Sequence, residues 1–132
     1  MTGGAAPATR SETIVGWILS GLVILFLLMD AGMKLVPIQP VIDTMKLLGW
    51  PADPALMRLL GVLTLVPTLL YLWRRTALIG AILLTAYLGG AVATHVRVGS
   101  PLFSHVLFGV YLGLLLWGGL YLRDPRLRAL LR

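Results

Sequence analysis

The sequence predicts an all-α protein: a bundle of four transmembrane helices, with a short interfacial helix between the first and second spans. Three observations predict it. The 132-residue chain is 58% hydrophobic, with a mean hydropathy of +0.93. Soluble domains average roughly 45–50% apolar residues. Only 12% of the residues are charged. Four long apolar runs, punctuated by prolines, glycines and basic residues, each approach the roughly 20 residues that cross a bilayer. A soluble domain of this size has too much surface for its volume to hide so much apolar area. A bilayer removes that difficulty by serving as the apolar solvent.

Residues 1–12 read as a small, polar N-terminal tail, in which Arg10 precedes the first apolar run as in a signal sequence. That run, about residues 13–36, exceeds the roughly 7–15 residues of a signal core and is followed by no A-x-A site, so it reads as a retained anchor. Pro37 and Pro40 end it. The next segment, Val41 to Leu48, is too short to cross. Val41, Ile42, Met45 and Leu48 share one helical face, away from Asp43 and Lys46, which suits a helix lying in the interface. Gly49 stops it, and Trp50 sits where an aromatic anchor belongs. Asp53-Pro54 is a helix start, with Asp as cap and Pro in the first turn. The second span is about 55–73, kinked at Pro67. Arg74 and Arg75 form a turn, the third span is about 76–96, and Arg97 to Pro101 lead into the fourth, about 101–122. Residues 13–122 thus form one membrane domain, and residues 123–132 a basic tail.

The formal net charge is +6 and the isoelectric point about 10.6. The basic residues flank apolar runs rather than forming a stripe on a soluble face, which excludes nucleic acid as a partner. The absence of cysteine excludes disulfides, thiol nucleophiles and Cys-ligated clusters. Four spans put both termini on one side, with Arg10, Arg74, Arg75, Arg123, Arg126, Arg128 and Arg132. Lys34, Lys46, Arg58 and Arg97 fall on the other side. The positive-inside rule then orients both termini to the cytoplasm, and the expected location is a bacterial cytoplasmic membrane.

Helices in lipid associate through close backbone approach. Gly109 and Gly113 form a GxxxG pair on the fourth span, Ala86, Gly90 and Thr94 a small stripe on the third, and Gly16 and Ser20 one on the first. These stripes are expected to pack helices within the bundle.

Charges at membrane depth are costly and usually face inward, so each is a functional candidate. Asp30 lies about four residues before the outer end of the first span, His95 lies one residue before the end of the third with Arg97 following it, and His105 lies four residues into the fourth. At 1.5 Å per residue all lie within roughly 6 Å of one membrane edge. Asp30 and Lys34 are spaced i,i+4, the orientation in which acid and base pair best. Tyr87, about 12 Å deeper than His95, needs a partner or a ligand for its hydroxyl. The expectation is a polar pocket at the outer end of the bundle, opening onto an apolar interior. Its candidate ligand-binding residues are Asp30, Lys34, Tyr87, Thr94, His95, Arg97 and His105. Asp30, His95 and His105 are the catalytic candidates. Each has a plainer reading: a structural ion pair, interhelical hydrogen bonds, a snorkelling arginine, a packing tyrosine. No metal site is expected, because the spacing matches no motif and Lys34 and Arg97 repel a cation.

Four stretches carry a family resemblance: Ala31-Gly-Met-Lys-Leu35, Leu48-Gly-Trp-Pro51, Gly80-Ala-Ile-Leu-Leu-Thr-Ala-Tyr-Leu-Gly-Gly-Ala-Val-Ala-Thr-His-Val-Arg97 and Trp117-Gly-Gly-Leu-Tyr-Leu-Arg-Asp124. Over about Gly21 to Leu131 the chain resembles the DoxX-like family of small four-helix membrane proteins. The resemblance implies the four-helix bundle. The family's name comes from a membrane subunit of a thiosulfate:quinone oxidoreductase. Other relatives are associated with redox complexes, and distant ones act as assembly factors. The resemblance supplies no catalytic residue set.

Three functions are compatible with these readings. The first is a binding protein for a quinone, isoprenoid or other apolar small molecule, as a subunit of a membrane redox system. The second is an accessory protein that binds a membrane protein partner or forms a homo-oligomer. The third is an acid–base enzyme, of isomerase, hydratase or cyclase type, acting on a lipophilic substrate.

Overall fold

The computed structural model describes residues 7–51 and 53–131. Residues 1–6 of the polar tail, Ala52 and the terminal Arg132 lie outside them. Helix α1 spans Arg10–Leu35, α2 Gln39–Leu47, α3 Pro54–Leu72, α4 Ala77–Val98, α5 Phe108–Arg123 and α6 Pro125–Leu130, with a π-helical turn, Leu102–Val106, leading into α5. Among the described residues there is no strand. Helices α1, α3 and α4, together with the segment Leu102–Arg123, are each long and apolar enough to cross a membrane.

Local chemistry sets most boundaries. Helix α1 begins at Arg10, inside the segment read as tail. The reason is a capping box: Thr9 Oγ1 accepts from Glu12 N–H and Glu12 Oε1 accepts from Thr9 N–H, both at 3.2 Å. Two orphan donors are thereby satisfied reciprocally. Gly49 closes α2 with a φ of +83°, a backbone state that costs glycine nothing. Asp53 caps α3, its carboxylate accepting from Ala55 N–H at 3.0 Å, with Pro54 in the first turn.

The fourth span falls where the reading of 101–122 puts it, but it opens with a π-helical turn rather than a regular α-helical one. Val106 N–H bonds Pro101 O and Leu107 N–H bonds Leu102 O. These are i→i−5 bonds, which widen one turn and shift the register of side chains before it relative to those after it.

The long helices form a ring in which α1 touches α3 and α5, and α4 touches α3 and α5. Each is apolar both inside and outside the ring. In α1, Val23, Ile24, Leu27 and Ala31 are buried, while Leu25 is 69% exposed. An apolar outer surface of this extent requires lipid around it.

The end carrying the termini is packed backbone to backbone. A Cβ on Gly16 would lie 2.9 Å from Gly119 O, and one on Gly80 only 2.3 Å from Tyr71 N. Gly16 and Ser20 therefore seat α5 against α1. A polar relay fills this tight end. Arg123 Nε donates to Ser20 Oγ at 2.9 Å, the Ser20 and Tyr71 hydroxyls bond at 2.9 Å, and Tyr71 donates to Leu116 O at 2.6 Å. Arg123 also caps the end of α3 by donating to Tyr71 O at 3.0 Å, and its guanidinium lies over the Trp17 and Tyr71 rings.

The basic tail is folded onto the bundle as α6. Asp124 caps it by accepting from Arg126 N–H at 3.0 Å, with Pro125 in its first turn. Burial pushes the Asp124 carboxyl up, but hydrogen bonds from the Arg126 side chain and backbone, with the charges of Arg126 and Arg74, hold it below its ordinary value. Arg126 also donates to Arg74 O. Arg128 is buried and pairs with Glu12 of α1 at 2.9 Å.

Candidate functional site

The opposite half of the bundle is hollow. A cavity of about 660 Å³ lies between α1, α2, α4 and the start of the fourth span, with Leu60 and Leu63 of α3 contributing. Small residues of α4 on the cavity side leave part of this space unfilled. Ala86, Gly90, Ala91 and Thr94 line it, and a Cβ on Gly90 would meet nothing within 4 Å. The stripe expected to seat a neighbouring helix thus forms a wall instead. The GxxxG pair divides. Gly109 packs closely, its Cβ position 3.2 Å from Leu88 O, whereas Gly113 faces open space.

Helix α2 covers part of the mouth. Val41, Met45 and Leu48, from the face assigned to the membrane interface, line the cavity, as do Thr44 and Trp50. These residues were missed as site residues. Their periodicity was visible, but an amphipathic face reads alike whether it covers lipid or a pocket.

Of the predicted site residues, Asp30, Lys34, Tyr87, Thr94, His95 and His105 line the cavity and Arg97 does not. They form two polar groups. In the first, Lys34 Nζ donates to Asp30 Oδ2 at 2.7 Å and to Tyr87 Oη at 2.9 Å. Lysines near helix ends in membranes usually snorkel toward water. Lys34 turns the other way, toward Asp30 one turn deeper on α1 and Tyr87 deeper on α4. A buried ammonium tolerates this only when paired and hydrogen-bonded. The Tyr87 oxygen accepts from Lys34, so its own O–H is left to donate into the cavity.

The second group is the histidine pair. The rings of His95 and His105 stand edge-to-face with centroids 5.7 Å apart. His95 Nδ1 bonds Ser100 Oγ at 2.9 Å, and His105 Nδ1 bonds Ser104 Oγ at 2.7 Å. Each ring is thus oriented through one nitrogen. Among the described residues neither Nε2 has a protein partner, so both are available to a ligand. Thr94 differs, since its hydroxyl donates to Gly90 O within α4 at 2.8 Å.

Arg97 holds the closure. It donates to Leu48 O at the end of α2 at 2.5 Å, and its guanidinium lies against Gly49. Arg97→Ala is expected to loosen α2 while leaving the four-helix ring intact. A lost charge-assisted bond predicts roughly tenfold faster amide exchange in α2, with unchanged exchange in the buried turns of α1 and α5. Equal protection of α2 in both proteins would refute the clamp.

The arrangement offers a mostly apolar volume, one phenol hydroxyl beside the Asp30–Lys34 pair, and a separate pair of oriented imidazoles. No curated protein and no solved structure matches the chain. The family model described as the DoxX-like family matches residues 18–119, a stretch that takes in α1 from its third turn, both polar groups and most of α5. With four spans of membrane-crossing length and this match over most of its residues, the chain is an integral membrane protein that belongs to the DoxX-like family.

Proposed function

We propose that the protein binds a lipophilic small molecule, of quinone, isoprenoid or similar type, inside the bundle, as a binding subunit of a membrane redox system. The observation that carries this reading is the cavity of about 660 Å³, lined mostly by apolar residues with a few polar side chains among them. Ligand sites typically have about 300–1,000 Å³ of apolar volume with a few placed polar groups. The Lys34–Tyr87 group and the histidine pair supply those groups. A ring or chain occupies the apolar part, and its oxygen accepts from Tyr87 or from an imidazole N–H. Both termini, with α6, then face the cytoplasm under the charge bias described above.

The test is native mass spectrometry of the protein released from mild detergent. A defined small molecule should accompany the wild type and be lost from the His95→Ala/His105→Ala variant. For an added long-chain quinone, each lost hydrogen bond should weaken binding about fivefold to tenfold, read by quenching of Trp50 at the cavity wall. Undiminished binding in the double variant would remove the histidines from the site. A bare bundle that carries a stoichiometric protein instead would favour the accessory role.

A further inference from the structure

The cavity contains an ion pair where a single charge would suffice to hold a polar head. We propose that Asp30 sets the ligand class of this cavity: by neutralising Lys34 it makes the site select an uncharged, oxygen-bearing lipophile and reject lipid carboxylates. The proposal rests on the binding function argued above and specifies the head group that site accepts.

Asp30 and Lys34 are the charged residues among those lining the cavity. Their charges cancel at a separation of 2.7 Å. Both are largely withdrawn from solvent, with side chains 27% and 15% exposed, so neither is screened as a surface pair would be. A carboxylate entering this space would have to compete with Asp30 for the ammonium or remain unpaired, and both are unfavourable in an apolar surrounding. Arg97, the nearest cation along α4, does not line the cavity and donates to the Leu48 carbonyl. What remains for a ligand is hydrogen bonding without net charge. Tyr87 presents an O–H because its oxygen already accepts from Lys34, and the two histidines present their Nε2 atoms. A ketone, quinone or ester oxygen accepts from Tyr87 O–H, or from an imidazole N–H, without bringing a charge into the cavity; a fatty-acid carboxylate could accept the same bonds but would be buried without a counter-charge of its own. Excluding such acids is specificity achieved against a competitor.

Asp30 is therefore a specificity-determining residue, and its removal should produce a gain as well as a loss. Asp30→Asn keeps the shape and a hydrogen-bond acceptor but leaves the ammonium without its counter-charge. The full-length protein in a maltoside detergent would be offered matched probes, hexadecanoate and its methyl ester, at a pH where the acid is ionised. Wild type should prefer the ester by about tenfold or more, and Asp30→Asn should bring the ratio to parity or below. Lys34→Gln is the mirror test and decides the matter if Asp30→Asn does not fold. It leaves the carboxylate alone and should gain hexadecylamine over the ester. Wild-type preference for the ester with an unchanged ratio in both variants overturns the role of Asp30 and leaves the cavity as a binding site. Failure of every protein to take any probe overturns the binding function as well.

Discussion

Gly80→Ala is expected to cost more stability than any other single methyl added to the bundle. The added Cβ would stand 2.3 Å from Tyr71 N and 2.7 Å from Pro67 O. Both are backbone atoms, so no side chain can swing aside, and α3 and α4 must separate. Overpacking of this kind typically costs about 1–3 kcal/mol, occasionally more. Separation here would also pull Tyr71 from the relay it shares with Ser20 and Leu116. Unfolding in mixed micelles measures the loss directly. Gly21→Ala and Gly113→Ala are the controls, since neither Cβ meets anything within 4 Å. Alanine has the better helix propensity by nearly 1 kcal/mol, so the controls should be neutral or stabilising. Equal effects at 80 and 113 would mean that α3 and α4 do not approach as described.

The second large effect is expected at Arg123. Its guanidinium donates to Ser20 Oγ and to Tyr71 O and lies 4.2 Å from the Trp17 ring centre and 4.8 Å from that of Tyr71. It joins α1, α3 and α5 through one planar group. Arg123→Ala should lose about 2–4 kcal/mol, from two charge-assisted hydrogen bonds and two ring contacts. Arg123→Lys should recover little of it, because an ammonium cannot make two directed bonds while lying flat between rings. Arg75→Ala, at an exposed site, should change stability far less. Full rescue by lysine would show that charge at the membrane edge, rather than the planar fork, is what matters.

The contrast between these positions shows what the sequence made legible. Four spans were readable because a bilayer imposes length and hydropathy on any crossing helix. The Asp30–Lys34 pair was readable because it lies within one helix, where i,i+4 spacing fixes the contact. Tyr87 joins it from another helix, and no local pattern encodes that. Some signals were present and passed over. Thr9 and Glu12 spell a capping box, yet the stretch read as tail. Asp53-Pro54 reads as a helix start, and the same pair at Asp124-Pro125 opens α6 inside the segment whose composition reads as a tail. The arginines of that segment read as a basic tail, whereas Arg123 and Arg128 are held by Ser20, Tyr71 and Glu12. The π-helical turn had no local signature, since its widening depends on how the segment fits against neighbouring helices.

The small residues of α4 were equally ambiguous. Gly80 seats a neighbouring helix and Gly90 lines a cavity. Both are glycines on the same helix, separated by fewer than three turns. Which role each plays follows from whether the opposing helix is present at that depth, a property of the assembled bundle.

The tight half and the hollow half of this bundle divide the labour of the chain. The atoms that hold the helices together are concentrated at the end with the termini, whereas the cavity lies at the other end and contributes less to cohesion. Ala86, Gly90 and Ala91 can therefore be enlarged, and the wall supplied by α2 repainted, without disturbing Gly16, Gly80, Gly119 or Arg123. The fold is suited to re-engineering as a scaffold. A library confined to the cavity wall should yield many folded proteins with altered ligand preference, while one of equal size at the other end should yield few that fold.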